Sequence, residues 1–250
     1  MSYAQRLPRP TRRDILRAAG LAGFGAALGQ TLRPARAAGA PRLFAFVPAI
    51  ERPRAVGEIL TQGLPGVAVT AFGRFADFAA ALASEKPEGT LALADTLRVL
   101  GIAASLQGVA AGSPNEPYVV LAKDPTDTLA SLAGKSIGVV DVVGRSELPL
   151  LVQRLLGFAQ PANVRRVLKV SDLLPLLHLD LAPAVALPER FQGEFQKQSR
   201  LPLRSLRASS ASLGRVALGF PSGRLDKHIS LSLRQAPASV QSLLGAEAWR

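Results

Sequence analysis

The stretch Gln107-Gly108-Val109-Ala110-Ala111-Gly112-Ser113-Pro114-Asn115-Glu116-Pro117-Tyr118-Val119-Val120-Leu121-Ala122-Lys123 decides how the chain is read. Gln107 to Ala111 and Tyr118 to Lys123 are strand-like runs, and the turn-rich Gly112 to Pro117 lies between them. Two extended segments therefore follow each other with no helix between. Elsewhere the chain alternates strands and helices, so this break in rhythm marks a passage from one globular body to another.

Upstream, Arg42 to Val47 is a short apolar run ended by Pro48, the pattern of a strand buried on both faces. Arg54 to Gln62 reads as a helix stopped by Gly63, and Gly66 to Phe72 as a strand with β-branched Val67, Val69 and Thr70. Phe75 to Ser84 is helical by its apolar spacing, Thr90 to Ala94 is a third strand, and Thr96 to Leu106 a helix after it. The order β-α-β-α-β-α implies a parallel sheet covered by helices. Downstream a second run opens: a short helix over Thr128 to Ala133, a strand over Ser136 to Asp141, a helix over Ser146 to Leu156 and a strand over Val164 to Val170. A helical piece over Asp172 to Leu179 and a strand over Ala184 to Leu187 come next. Ser212 to Phe220 reads as the return to the first body, and Leu225 onward as a final helical region. The expected architecture is α/β, with two lobes joined by a double-strand hinge. Lobe 1 takes residues 38–111 and 212–250, and lobe 2 takes 112–211.

Composition narrows the chemistry. The chain of 250 residues has no Cys, which excludes a disulfide scaffold, a thiolate metal site and a cysteine nucleophile. Its formal charge of +12 is unevenly placed, because residues 1–37 hold seven Arg against Asp14 alone. That segment carries Arg12-Arg13, an uncharged run from Ala18 to Gln30 and the small-x-small pattern Ala35-Arg36-Ala37. It looks like a twin-arginine export signal, with a mature chain starting near Ala38 and a periplasmic destination. The alternative, a retained anchor, needs about 18 apolar residues to span the hydrocarbon core, more than this Gly-rich run supplies. The rest of the chain is only mildly basic, so neither nucleic-acid binding nor stable membrane insertion after cleavage is expected.

From Gly112 to Asp124, and through Leu129-Ala130-Ser131-Leu132-Ala133-Gly134-Lys135-Ser136-Ile137-Gly138-Val139-Val140-Asp141, the chain resembles the interlobe region of type 2 periplasmic solute-binding proteins. The nearest branch is that of the phosphate/phosphite/phosphonate-type binding proteins of ABC importers. The resemblance covers 107–157 at motif level and the rest by order of elements. It implies capture of a small, anionic solute by clamshell closure and an ABC permease as partner, with no cofactor.

In such a protein the loop Val142-Val143-Gly144-Arg145-Ser146, opening a helix, would offer unpaired N–H groups and the positive end of the helix dipole to an anion. Gly144 would let the backbone approach, Arg145 would supply a donor fork, and Ser146 and Tyr118 would add hydroxyls. From the first lobe, Pro48, Asp95 and Thr96 stand at strand ends, where ligands of open α/β sheets lie, and Arg74 adds a positive charge beside the cleft. Each has a structural alternative: Ser146 or Asp95 as helix caps, Arg145 as a solvated charge, Tyr118 as a packed strand residue. His178 and His228 have no partner at metal spacing, and no catalytic motif occurs. The chain is therefore expected to be neither an enzyme nor a metal protein. A second reading keeps the scaffold but assigns it to an accessory factor for maturation of an exported redox or metal enzyme, or to a sensor ectodomain.

Overall fold

Alternation along the first strand sets the layers of the first lobe. In β1 (Arg42–Phe46), Leu43 and Ala45 point to one face and Phe44 and Phe46 to the other, and all four are buried. The computed structural model describes residues 39–49, 51–156, 163–207 and 211–250. The leader expected over 1–37 lies outside the described residues. β1 pairs in parallel with β2 (Ala68–Ala71) and β3 (Gly89–Leu93). Beyond β3 the sheet continues through β11 (Val216–Gly219), β4 (Ala104–Val109) and β12 (Ala248–Trp249), with β11 antiparallel to both neighbours.

Each face of this sheet has its own core. Leu43, Leu91 and Leu218 pack with Leu60 of α1 (Pro53–Gly63), Leu233 of α7 (Lys227–Arg234) and Val240 of α8 (Ala238–Leu244). On the other face Phe44, Phe46 and Phe72 gather around Phe78 of α2 (Phe75–Glu85), with ring centroids 5.1 to 5.6 Å apart along Phe44–Phe72–Phe78–Phe46. The helix expected over 96–106 is shorter: α3 (Ala94–Val99) ends there because Gly101 takes φ +70, and the following residues enter the sheet as β4.

The second lobe is built on β5 (Asn115–Ala122), β6 (Ser136–Val140), β7 (Asn163–Val167), β8 (Ala184–Pro188), β9 (Arg204–Leu206) and β10 (Ser212–Gly214). β6 pairs in parallel with β7 and β8, whereas β5 is antiparallel to β8, β9 and β10. Leu151, Val152 and Leu155 of α4 (Leu148–Leu156) and Leu173 and Leu177 of α5 (Leu173–His178) close on Ile137, Val139 and Val185. Neither α6 (Gln192–Gln198) nor β9 was expected from sequence. Exposed Arg165 and Arg166 on β7, the sheet edge, keep that edge charged.

Two crossing strands join the lobes. The start of β5 pairs with β10, Glu116 opposite Leu213, and the single strand expected over 212–220 divides at Arg215. Arg215 fixes that division: its N–H donates to Pro114 O at 2.8 Å, and its guanidinium donates to Gly245 O at 2.7 Å and Ser113 O at 3.2 Å. Beside it Glu116, 2% exposed, faces Arg190 Nε at 3.1 Å and Arg215 Nη1 at 3.9 Å. Burial, the largest influence, pushes the Glu116 carboxyl up, and the two guanidinium charges bring it only part of the way back. Burial likewise pulls Arg190 down. The pair is thus an expensive one whose separation would cost more than its replacement.

Two stability effects are expected. Phe78→Ala should lower unfolding free energy by about 3–5 kcal/mol in urea titration, the largest loss among single aromatic truncations in that cluster. Arg190→Met should cost about 3–5 kcal/mol by stranding Glu116, and the double variant Glu116→Gln, Arg190→Met should recover part of it; equal losses in both would remove the pair from the hinge.

Candidate functional site: the cleft between the lobes

Six parallel strands, β1 to β3 in one lobe and β6 to β8 in the other, send their C-terminal ends into the space between the sheets. Four of those ends build a cavity of about 360 Å³. Val47 to Ala49 follow β1, Phe72 to Arg74 follow β2, Val142 follows β6, and Leu168 and Lys169 follow β7. The volume is that of a small-molecule site, and both lobes contribute wall.

The wall from the first lobe is made by the beginnings of two helices. Arg52 is the N-cap of α1, with Pro53 in its first turn, and Arg74 is the N-cap of α2. Neither helix receives a side-chain cap bond, so the N–H groups of both first turns lack that partner. Pro53 fits this place because the first helical residue needs no donor. Arg52, Arg74, Glu51 and Asp77 all line the cavity, and none of them enters an ion pair among the described residues. Across the cavity Lys169 and Asp172 pair with each other at 3.4 Å. Phe46, Phe72 and Val56 give the floor an apolar surface, and Phe46 and Phe72 are held by the aromatic cluster under them.

The residues singled out from sequence divide into three groups. Pro48 is in the cavity wall, and its carbonyl accepts a bond from Arg190 Nη2 at 3.3 Å. Asp95 and Thr96, just after β3, tie the lobes together. Thr96 Oγ1 donates to Val142 O at 2.7 Å, and Asp95 accepts from Arg154 Nη2 on α4 at 2.7 Å, from Gly214 N at 2.8 Å and from Arg98 at 3.4 Å. Burial opposes ionisation of Asp95, but the bonds from Arg154, Gly214 and Arg98 together with the Arg154 charge hold the carboxyl below its usual range.

The third group, Tyr118, Gly144, Arg145 and Ser146, does not line the cavity. Tyr118 is 3% exposed within β5, and burial pushes its hydroxyl up. In the loop expected to receive an anion, one donor is already taken by a carboxylate of this chain: Asp141 Oδ1 accepts the Gly144 N–H at 2.8 Å, while Oδ2 pairs with Arg166 at 3.1 Å. Gly144 sits at φ +83, and a Cβ there would come within 2.6 Å of the Phe75 ring of the first lobe. Its glycine therefore serves lobe-to-lobe packing. Arg145 and Ser146 are not buried, and α4 begins only at Leu148.

Sequence reasoning placed Arg74 beside the cleft and missed Arg52 and Lys169. Arg52-Pro53 carried a readable signal, a proline opening a helix after a strand end, whereas Lys169 joins the cavity only because β7 ends beside β1's loop, a tertiary fact. Val170 N donates to Ala49 O at 3.1 Å and sets that position. Among the described residues no cluster of three or more His, Cys, Asp or Glu is placed to hold a metal, and no helix is long and apolar enough to cross a membrane.

No family model matches the sequence, and no curated protein matches it. Solved structures do match in fold. XAC2383 from Xanthomonas citri, in a structure bound to ATP, is 13% identical with a TM-score of 0.58, over 84% of this chain and 90% of that one. The VFT2 domain of Bordetella pertussis BvgS is 14% identical with a TM-score of 0.55, over 83% of this chain and 94% of the other. The substrate-binding protein of an amino acid ABC transporter is 12% identical with a TM-score of 0.52, over 78% and 91%. At these identities the likeness is one of fold, and it agrees with the strand order: the chain has the two-lobe periplasmic-binding-protein fold of type 2, its lobes joined by two crossing strands.

Proposed function

We propose that this chain is an exported solute-binding protein that captures a small solute bearing an anionic group in the interlobe cavity and delivers it to an ABC importer. The observation that carries this reading is the pair of helix beginnings, α1 and α2, that line the cavity without side-chain caps and each with an arginine at the N-cap. Unpaired N–H groups, the positive end of the helix dipole and a guanidinium fork all favour negative charge at the same place. Glu51 and Asp77 limit how much negative charge the cavity accepts and favour a solute with one anionic group over a polyanion. The apolar floor at Phe46, Phe72 and Val56 takes the solute's body. The resemblance to phosphonate-type binding proteins agrees with an oxyanion head, now assigned to Arg52 and Arg74 and not to residues 144–146. Both lobes contribute to the site as it stands, with Lys169 and Asp172 on the wall opposite Arg52 and Arg74.

A second reading, a sensor ectodomain or an accessory factor for an exported enzyme, is favoured by the direct bonds between the lobes at Asp95 and Thr96. The likeness in fold to the BvgS VFT2 domain is compatible with it.

Thermal denaturation with inorganic phosphate, phosphonates, amino acids and metal ions separates these readings. A bound anion at about 100 times its Kd should stabilise by about 2.7 kcal/mol; silence across the panel, together with recovery of an exported enzyme in pull-down, supports the second. For the anion found, Arg74→Ala should weaken binding about tenfold or more, and Arg145→Ala should leave it within about twofold, since Arg145 stands outside the cavity. Loss of binding in Arg145→Ala with retention in Arg74→Ala would move the site back to the 144–146 loop.

A further inference from the structure

We propose that the strand ends not used for the cavity form a latch that holds the two lobes together by direct bonds, so that a closed cleft is the resting state and passage of solute requires the latch to open. β3 and β8 are the two parallel strands whose ends add nothing to the cavity wall. Beyond both ends the chain bonds from lobe to lobe. After β3, Thr96 Oγ1 donates to Val142 O at 2.7 Å and Asp95 receives Arg154 Nη2 at 2.7 Å. After β8, Arg190 Nη2 donates to Pro48 O at 3.3 Å. Between them Val170 N donates to Ala49 O at 3.1 Å, and the Phe75 ring lies against the Cα of Gly144.

These ties have features that distinguish a built latch from incidental contact. Thr96 is fully buried and Asp95 is 8% exposed, so their bonds form in a medium where an unmade bond is costly. Asp95 gathers three elements at once: α3 of the first lobe, α4 of the second through Arg154, and the crossing strand β10 through Gly214 N. Rotation of one lobe away from the other cannot keep both Arg154 and Val142 in reach of neighbouring residues on α3. The apolar core supports the same state, since Leu93 and Val99 of the first lobe pack with the core of the second. Pro48, Ala49 and Val142 are both cavity wall and latch acceptors, so a solute pressing on that wall works against the latch.

The consequence for loading rests on the solute capture proposed above; the closed resting state does not, and it is measured without a solute. The absence of native Cys permits two labels at introduced thiols. We would place them at Ala83→Cys on α2 and Gln198→Cys on α6, both exposed, and read the distance by electron–electron double resonance. The protein is first unfolded and refolded to strip any carried solute. A single short interlobe distance, unchanged by inorganic phosphate, is expected. Arg154→Ala with Thr96→Val should shift the closed-to-open ratio by about tenfold or more and bring in a longer distance. If the double change does not fold, Arg154→Ala alone serves, because that side chain is 45% exposed, and Arg154→Lys should restore part of the short distance. A long or two-valued distance in the unchanged protein, or no shift in either variant, overturns the latch. Failure of every solute in thermal denaturation, with the short distance intact, would overturn solute capture and leave the latch standing.

Discussion

Everything in this molecule depends on the chain crossing between its two sheets through only two strands, paired where Glu116 meets Leu213 and fixed at Arg215. Arg215 bonds to the turn before β5 and to the loop after α8, so one guanidinium joins the outgoing strand, the returning strand and the C-terminal helices. A largely covered guanidinium of this kind, its side chain 11% exposed, specifies geometry more than it adds stability. Past Arg215 the returning segment enters the first sheet as β11, where Val216, Ala217 and Leu218 are buried between β3 and β4.

That crossing aims six parallel strands at each other end-on, and the ends then divide their tasks. Those of β1, β2, β6 and β7 leave a cavity, while those of β3 and β8 reach across and bond. Open α/β sheets place ligands at the C-terminal ends of their strands, and here two such sets of ends face one another. The aromatic cluster under Phe46 and Phe72 supports the cavity floor, and the two helices that start at its wall have no side-chain caps.

The fold was legible in sequence because its signals are local: apolar runs such as Thr90 to Leu93, glycine stops such as Gly63, and the missing helix between Val109 and Tyr118. The site was legible only in part. Pro48 and Arg74 come directly after strands and so inherit their position from them. The 144–146 loop lies outside the cavity wall, and its glycine and its place before a helix are equally suited to an external anion and to Asp141, three residues upstream in the same chain. No local pattern distinguishes the two, since the choice depends on where Arg166 of β7 and Phe75 of the other lobe come to lie. Asp95 and Thr96 were noticed as residues at a strand end; they do not line the cavity, and their bonds from lobe to lobe could only be seen once the lobes were in place. The division of Ser212 to Phe220 into two strands has the same origin, since Arg215 acts through partners about 30 and 100 residues away.

The proposed capture of a small solute with an anionic head rests on a cavity walled by uncapped helix starts, floored by fixed aromatics and flanked by interlobe bonds. Hydrogen–deuterium exchange over the whole chain, with and without whichever solute raises its melting temperature, tests that picture most directly. Slowed exchange is expected in 46–56, 72–77 and 168–172, the segments that line the cavity. Slowing at 144–146 in place of these segments, or at a surface remote from the cleft, would contradict it.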